Sequence, residues 1–379
     1  MPNYKICSRC VMDTTDPEIV FDAEGICHHC KAYDQVVTVR IQTGETARTK
    51  LLGIIETIRS SGCGKDYDCV IGLSGGVDST FVAYKVKELG LRPLAVHLDN
   101  GWDSEIAVNN IEQAVTRLKI DLHTHVIDWE EFRDLQLAFL RASTPDSEVP
   151  TDHAILALMH QTAAKCNLTY VISGCNLRTE SHHPSTWSQG NIDWRYIQNV
   201  HRQFGSVPLH TFPHMPLVAQ YHFMASQTWV DILDYLDYVK AEAKILLTRE
   251  LGWRDYGSKH FESIYTRFYQ GYILPRKFGY DKRRMHLSSL ICSGEMARTA
   301  ALKLLEEEPY ARDLQEADLA YVIKKLGLTR RQFDEIMQLP KKRYWDYPSY
   351  GRWFRNPVHQ WIQRGCKQAH AWRATHFKK

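Results

Sequence analysis

Residues Ser74–Thr80 read "SGGVDST" and follow the strand-like run "YDCVIGL". A phosphate group asks for backbone N–H groups aimed at it, a main chain that can come close, and the positive end of a helix dipole. Gly75 and Gly76 allow the close approach, Ser74 and Ser79 bring hydroxyl donors, and Asp78 stands in the first turn of a helix expected to open near Val77. The stretch lacks the GxxxxGK spacing and its phosphate-reaching lysine, so it is not a Walker A loop. A ligand-free turn between strand and helix is the plain alternative. Two further strand ends weigh against it. "AVHLDNGW" puts Asp99 and Asn100 just past a second strand, and "VISGCNLRTES" puts Gly174 past another, with Asn176, Arg178 and Glu180 following. Ligands of open parallel sheets sit beyond the carboxyl ends of strands, so three such ends favour one shared site.

Cys7, Cys10, Cys27 and Cys30 form two C-x-x-C pairs, "CSRC" and "CHHC", with sixteen residues between Cys10 and Cys27. Tetrahedral zinc takes four thiolates, and two tight turns can supply them at this spacing. Such a closed set has no open position for a substrate, so the expected zinc is structural, helping a short segment to fold. His28 or His29 is able to replace one thiolate, and an iron–sulfur cluster is the other alternative. Of the remaining thiols, Cys69 and Cys166 read as core residues, and Cys175 is the one placed for chemistry.

The elements that must position these groups alternate. Between Tyr67 and Gly174, strand candidates "YDCVIGL", "RPLAVHL", "DLHTHVI" and "LTYVISG" are separated by helical runs such as "VDSTFVAYKVKELG" and "WEEFRDLQLAFLRA". That alternation predicts an α/β fold with a doubly wound parallel sheet. Residues 46–61 form an amphipathic helix before it, with Leu51, Ile54, Ile55 and Ile58 on one face. We expect residues 1–45 to be a zinc-binding segment, 46–225 the nucleotide-binding α/β domain, and 226–379 a mostly helical region for substrate or partner. No helical period runs through 1–34, residues 184–225 resist assignment, and 226–252 read as helical. "TRRQ" at Thr329 has the capping-box form.

Composition bounds the rest. The chain has 379 residues, 44% hydrophobic and 24% charged, with a net charge of +3. These are globular values, and the charge gives nucleic acid no special claim as a partner. No apolar run approaches the roughly 20 residues that span a bilayer, and "MPNYKICSRC" lacks a signal-peptide core, so a cytoplasmic protein is expected. The ten cysteines then read as thiols or metal ligands rather than disulfides.

The SGGxDS form of the loop resembles that of the PP-loop ATP pyrophosphatase superfamily. The cysteine pairs, "SGGVDS", "VHLDNGW", "PTDHAI" and the basic, aromatic block from Trp253 to Arg298 together resemble the bacterial N-acetyl sugar amidotransferases, over nearly the whole chain. What this resemblance implies is an ATP-dependent enzyme forming AMP and diphosphate. The N-acetyl oxygen of an acetamido sugar, expected to be nucleotide-linked, is adenylated, and ammonia displaces AMP to leave an acetamidino sugar for a surface glycan such as O-antigen. Ser74, Gly75, Gly76, Asp78 and Ser79 would then cradle the pyrophosphate with magnesium. Asp99, Asn100, Gly174 and Glu180 would line the nucleotide. Lys277 and Arg276 would meet charge at the α-phosphate, while His260, Glu262 and Asp281 would orient the acetamido group or relay a proton. The Met-Pro start and the absence of a G-x-C-x-G elbow leave no glutaminase motif. The implied partners are therefore a glutaminase subunit and its barrel-shaped companion resembling a histidine-biosynthesis synthase. The competing readings are a PP-loop tRNA sulfurtransferase with an N-terminal zinc ribbon, which needs a catalytic cysteine pair, and a zinc-ribbon binding module that only senses ATP.

Overall fold

The computed structural model describes residues 4–41 and 43–376, with side chains as far as residue 366. Met1 and Pro2, on which the reading of the chain's start rests, lie outside them. Five parallel strands form one sheet in the order β3-β2-β1-β4-β5. They are β1 (Cys69–Gly72), β2 (Pro93–Asp99), β3 (Asp121–Val126), β4 (Tyr170–Ser173) and β5 (Thr228–Asp231). Side chains alternate between the two faces with the period of two that a strand imposes. Cys69 and Ile71 of β1 join one buried cluster with the helices α2 (Gly44–Ser61), α3 (Val77–Glu88) and α4 (Glu105–Leu118). Val70 between them joins the opposite cluster, with α5 (Trp129–Ala142) and α6 (Val149–Lys165). Two helical layers therefore sandwich the sheet, as the strand–helix alternation predicts.

The order has a consequence for function. From β1 the chain moves outward to β2 and β3, then returns to place β4 and β5 on the other side. The strand order reverses between β1 and β4, and the loops leaving such neighbouring strands in opposite directions open a crevice. The loop after β1 begins at Leu73 and the loop after β4 at Gly174, so both lie at this crevice.

Several expectations need correcting. The sheet runs on to Asp231, past the boundary expected at 225 and into the run 226–252 expected to be helical; β5 has four residues, too few to show a period. A helix, α1 (His28–Arg40), starts inside the cysteine segment but buries only His29, Cys30 and Tyr33, so it carries little apolar signal. The unassigned stretch holds α8 (Trp194–Phe204) and α9 (Leu217–Ser226), after a one-turn α7 (Leu177–Glu180). The region beyond is helical as expected: α10 (Lys240–Leu251), α11 (Ile264–Phe268), a π-helix over Tyr269–Phe278, α12 (Arg283–Cys292), α13 (Arg298–Glu306), α14 (Arg312–Leu326) and α15 (Arg330–Gln338), with shorter pieces and a last helix after them. Thr329 and Gln332 do form the capping box. These helices are not a separate body, because one buried cluster joins Val70 of β1 to Phe268, Val322, Phe333 and Tyr347.

Candidate active site

The loop after β1 is held in shape from three sides. Gly75 has φ +76°, and a Cβ there would stand 2.4 Å from the Ala107 carbonyl oxygen of α4. Its own carbonyl accepts from Asn110 Nδ2 at 3.2 Å and from Trp253 Nε1 at 3.0 Å. Within the loop, Ser79 Oγ accepts from the Ser74 amide at 3.2 Å, and the two serine hydroxyls lie 3.1 Å apart. Helix α3 starts at Val77, so its first-turn N–H groups lack intrahelical acceptors and point at the loop's mouth. Gly174 brings β4 against this turn: a Cβ there would meet the Asp78 carbonyl carbon at 3.4 Å and the Ser79 amide at 3.5 Å. The loop and two strand ends expected to converge do so.

Asp78 is the charged centre. Tyr238 donates to its Oδ1, and the Lys259 ammonium lies 3.7 Å from its Oδ2. Burial works against ionising this carboxyl, but Lys259 and then Lys240 outweigh it and hold Asp78 below the usual carboxylate range. Lys259 also donates to Glu180 Oε1 at 2.7 Å and Thr179 Oγ1 at 3.3 Å. Burial alone would discharge this lysine, yet Glu180 and Asp78 keep its proton affinity above that of an ordinary lysine. A permanent cation thus stands between the ends of β1 and β4.

The segment carrying Lys259 covers the loop. Tyr256 Oη accepts from the Val77 amide at 3.2 Å. A Cβ added to Gly76 would stand 3.2 Å from Glu262 Oε1. Glu262 is stitched to the loop after β2, since its carbonyl accepts from the Ser104 amide at 2.8 Å. Its Oε2 is buried with no partner among the described residues, an acceptor left for a ligand. His260 takes φ +65°, unusual for a residue with a side chain, with Nδ1 3.6 Å from Glu262 Oε1. Of the expected catalytic residues, His260 and Glu262 therefore stand at the loop.

Beyond His260 stands a cluster of histidine, lysine and acidic side chains. The His286 ring of α12 lies 5.6 Å from that of His260, and neither of its nitrogens has a partner among the described residues. Burial, then Lys259 and the other cations around it, push His286 well below its ordinary value, so it is a neutral imidazole. Asp146, Glu148 and Asp152 gather at the N-terminus of α6, faced by Lys282. The C-terminal segment holds this corner in place. Tyr265 and Ser147 share a hydroxyl contact of 2.7 Å, Tyr269 Oη accepts from the Ser147 amide at 3.1 Å, and Thr266 donates to Glu148 at 2.5 Å. Asn100 reaches the same corner, with Nδ2 3.5 Å from Thr151 Oγ1, while Asp99 accepts from the Gly101 amide at 2.8 Å.

Burial, then the charges of Asp146 and Glu148, push Asp152 up to about 8. An unfolded aspartate ionises near 3.9, so the folded state binds a proton that the unfolded state has released over the interval between. The stability associated with that proton is full below the ordinary carboxyl range and is lost as pH rises toward about 8. Asp152→Asn removes this loss. Its melting temperature relative to wild type is expected to climb between pH 5 and 8; a difference independent of pH would refute the shift.

Three expected residues lie apart from this arrangement. Lys277 is buried, donates to the Ile336 carbonyl, and is pushed down to about 8 by burial. Arg276 stacks on Tyr272 at 3.9 Å and donates to Gln315 at 3.0 Å. Asp281 pairs with Arg283 at 2.8 Å at the start of α12. All three have their recorded partners in the C-terminal helices, whereas Lys259 is the lysine beside Asp78 of the loop. Sequence reasoning passed over Asn110, Tyr238, Tyr256 and His286. "PTDHAI" did contain Asp152, and Lys259 and Lys282 stood in the basic block, but nothing local singled them out.

The four cysteines of the N-terminal segment are buried with their sulfurs together: Cys7 to Cys30 3.9 Å, Cys10 to Cys27 3.6 Å, and Cys27 to Cys30 3.7 Å. Tetrahedral zinc with bonds of about 2.3 Å sets its sulfurs about 3.8 Å apart, so the donor set fits that ion. Thiolates on the separate irons of a cluster would stand further apart.

Comparisons with known proteins follow this geometry. Among curated proteins the sequence finds no match. Solved structures resembling the chain include NMN synthetase from Francisella tularensis, 14% identical, covering 79% of this chain and 98% of that one at a TM-score of 0.35. Another is the NH3-dependent NAD synthetase from Campylobacter jejuni subsp. jejuni NCTC 11168, in complex with the nitrate ion, 16% identical, covering 79% and 99% at 0.32. Likenesses of that size add nothing to the strand order already described. Residues 262–358 match the family model of the LPS biosynthesis protein WbpG-like, C-terminal domain. That stretch begins at Glu262, beside the loop after β1, and includes Tyr265, Tyr269, Lys282 and His286 of the neighbouring cluster. Residues 262–358 are thus similar to the C-terminal domain of WbpG-like LPS biosynthesis proteins.

Proposed function

We propose that the chain is an ATP-dependent amidotransferase that converts the N-acetyl group of a sugar, nucleotide-linked in our reading, to an acetamidino group for LPS or O-antigen biosynthesis. One observation carries this reading. The glycine–serine loop at the sheet's switch point is joined, through Lys259 and His260, to a cluster of His286 and Lys282, both in the WbpG-like segment, with Asp146, Glu148 and Asp152. A nucleotide and a polar, uncharged sugar group would meet between them.

The residues divide the work. The amides and hydroxyls of Ser74–Ser79 bind the β- and γ-phosphates of ATP, and Asp99, Asn100 and Gly174 border the nucleoside. Asp78 and Glu262, whose Oε2 has no partner among the described residues, would hold magnesium, which supplies charge neutralisation on the phosphates. Lys259 offsets charge as the acetamido oxygen attacks the α-phosphorus and pyrophosphate departs. Ammonia then adds to the imidate carbon, the C–O bond to AMP breaks, and neutral His286 is positioned to take the proton that nitrogen sheds. The ammonia comes from a glutaminase partner with its synthase-like barrel in this proposal. The cysteine tetrad carries a structural zinc that takes no part in these steps. No helix among the described residues is long and apolar enough to cross a membrane.

The competing sulfur transfer needs a reactive thiol. Cys175 stands next to Gly174, but desolvation and Glu180 push it up to about 11, away from the thiolate form. The test mixes the protein with ATP, a nucleotide-linked acetamido sugar and ammonium. AMP, diphosphate and a sugar with its acetamido oxygen exchanged for NH are expected, and Cys175→Ser should retain that turnover. Release of ADP and orthophosphate, or thiolated tRNA lost in Cys175→Ser, would overturn the proposal.

A further inference from the structure

Outside the active site, two more ligand-type side chains meet the cysteine tetrad. Cys30 Sγ lies 3.7 Å from Cys292 Sγ and 3.7 Å from His182 Nε2, and those two atoms are 3.5 Å apart. A tetrahedral ion with bonds of about 2.3 Å to sulfur and 2.0–2.1 Å to nitrogen has edges of about 3.8 Å between sulfurs and about 3.6 Å between sulfur and nitrogen. The triangle is thus one face of a second tetrahedron, sharing the Cys30 corner with the first. An ion held by Cys7, Cys10, Cys27 and Cys30 already has its four ligands and leaves His182 and Cys292 unexplained.

The histidine is prepared for a ligand role. His182 is fully buried, and its Nδ1 faces the Ser181 hydroxyl at 2.9 Å and the Ser289 hydroxyl at 3.5 Å. Fixing one ring nitrogen by a hydrogen bond is how proteins aim the other at a metal. The Ser289 hydroxyl also accepts from the His182 amide at 3.1 Å, so the backbone is held at this place too.

We propose that Cys7, Cys10, Cys27, Cys30, His182 and Cys292 hold two ions of the zinc class, with Cys30 bridging them and a small oxygen ligand completing the second. The chain gains a fastening among segments 152 and 262 residues apart. Cys292 ends α12, the helix that carries His286, and His182 follows Glu180, the partner of Lys259. The second ion ties both walls of the crevice to the N-terminal segment. That segment is already pinned to α12 and α13 by Arg284 on the Val11 carbonyl at 2.8 Å and Arg298 on the Cys7 carbonyl at 2.8 Å.

The experiment counts metal in the full chain, purified under reducing conditions and dialysed against metal-free buffer. Two zinc per chain are expected in wild type and one in Cys292→Ser and in His182→Asn, with circular dichroism confirming that both fold. Loading with cobalt should give thiolate-to-metal absorption from two ions whose magnetic moments are coupled through the bridge. That coupling should vanish in Cys292→Ser. A wild-type count of one with uncoupled cobalt overturns the proposal, whatever the variants do. So does a count of two that both variants retain.

Discussion

Gly75→Ala is expected to destabilise the protein by about 2–5 kcal/mol and to abolish nucleotide binding. The first part is the sum of two costs. An alanine at φ +76° sits in the left-handed region, at about 1–2 kcal/mol. Its Cβ would also stand 2.4 Å from the Ala107 carbonyl oxygen and 3.0 Å from that residue's Cα, both backbone atoms of α4 that cannot swing aside. Overpacking of that kind costs about 1–3 kcal/mol. The turn has no easy retreat, because tilting it would pull the Gly75 carbonyl away from Asn110 and Trp253. Relief by displacing the loop is what would re-aim the amides around Ser74–Ser79. Gly76→Ala is the comparison. Its Cβ meets the ends of Glu262, Ser74 and Tyr256 at 3.2–3.3 Å, side chains that can yield, so it should be the milder change in stability. Denaturant unfolding and calorimetric ATP titration read the two effects separately. Wild-type ATP affinity in Gly75→Ala would remove the loop from the proposed site.

How much of this could be read beforehand follows the range of each interaction. The loop, its strand and its helix are contiguous, so "YDCVIGLSGGVDST" announces them, and "CSRC" and "CHHC" announce the tetrad in the same way. What holds the loop is not contiguous: Asn110 joins it to Arg254 across 144 positions, and Tyr256 reaches Val77 across 179. "STPDSEVP" carries no period, and only packing reveals that Asp146 and Glu148 are buried and that Ser147 between them bonds Tyr265 and Tyr269. The basic block shows the limit most plainly. Arg276, Lys277 and Lys282 fall within seven residues of one another, and a π-helix ending at Phe278 sets the direction of the first two, with Lys282 beyond it at the start of α12. A reading that assumed ordinary helical turns had no means to send Lys277 into the C-terminal core and Lys282 toward the carboxylates. The extra ligands His182 and Cys292 carry no spacing signal at all, since they belong to different halves of the chain.

Lys259→Ala is expected to lower kcat by about 10²–10³-fold, a range set by loss of one preorganised donor at a developing charge. The lysine is positioned for that role by its partners rather than by its neighbours in sequence. Glu180 at 2.7 Å fixes the ammonium from the β4 side, and Asp78 at 3.7 Å faces it from the β1 side. Because these carboxylates keep it charged, no proton has to be acquired before it can act. A purely structural part would look different. Removing the cation leaves Asp78 and Glu180 without it, so some stability should be lost as well, and activity alone cannot separate the two roles. The separation comes from comparing ground-state and transition-state effects. If Lys259 meets charge that grows as the α-phosphorus reacts, kcat falls far more than ATP affinity, and Lys259→Arg, which keeps a cation on a longer arm, recovers part of the loss. Should Lys259→Ala weaken ATP binding as much as it slows turnover, with arginine no better than alanine, the lysine merely holds the two loops together. The charge at the reacting phosphorus would then have to be met by Lys240, the other cation acting on Asp78.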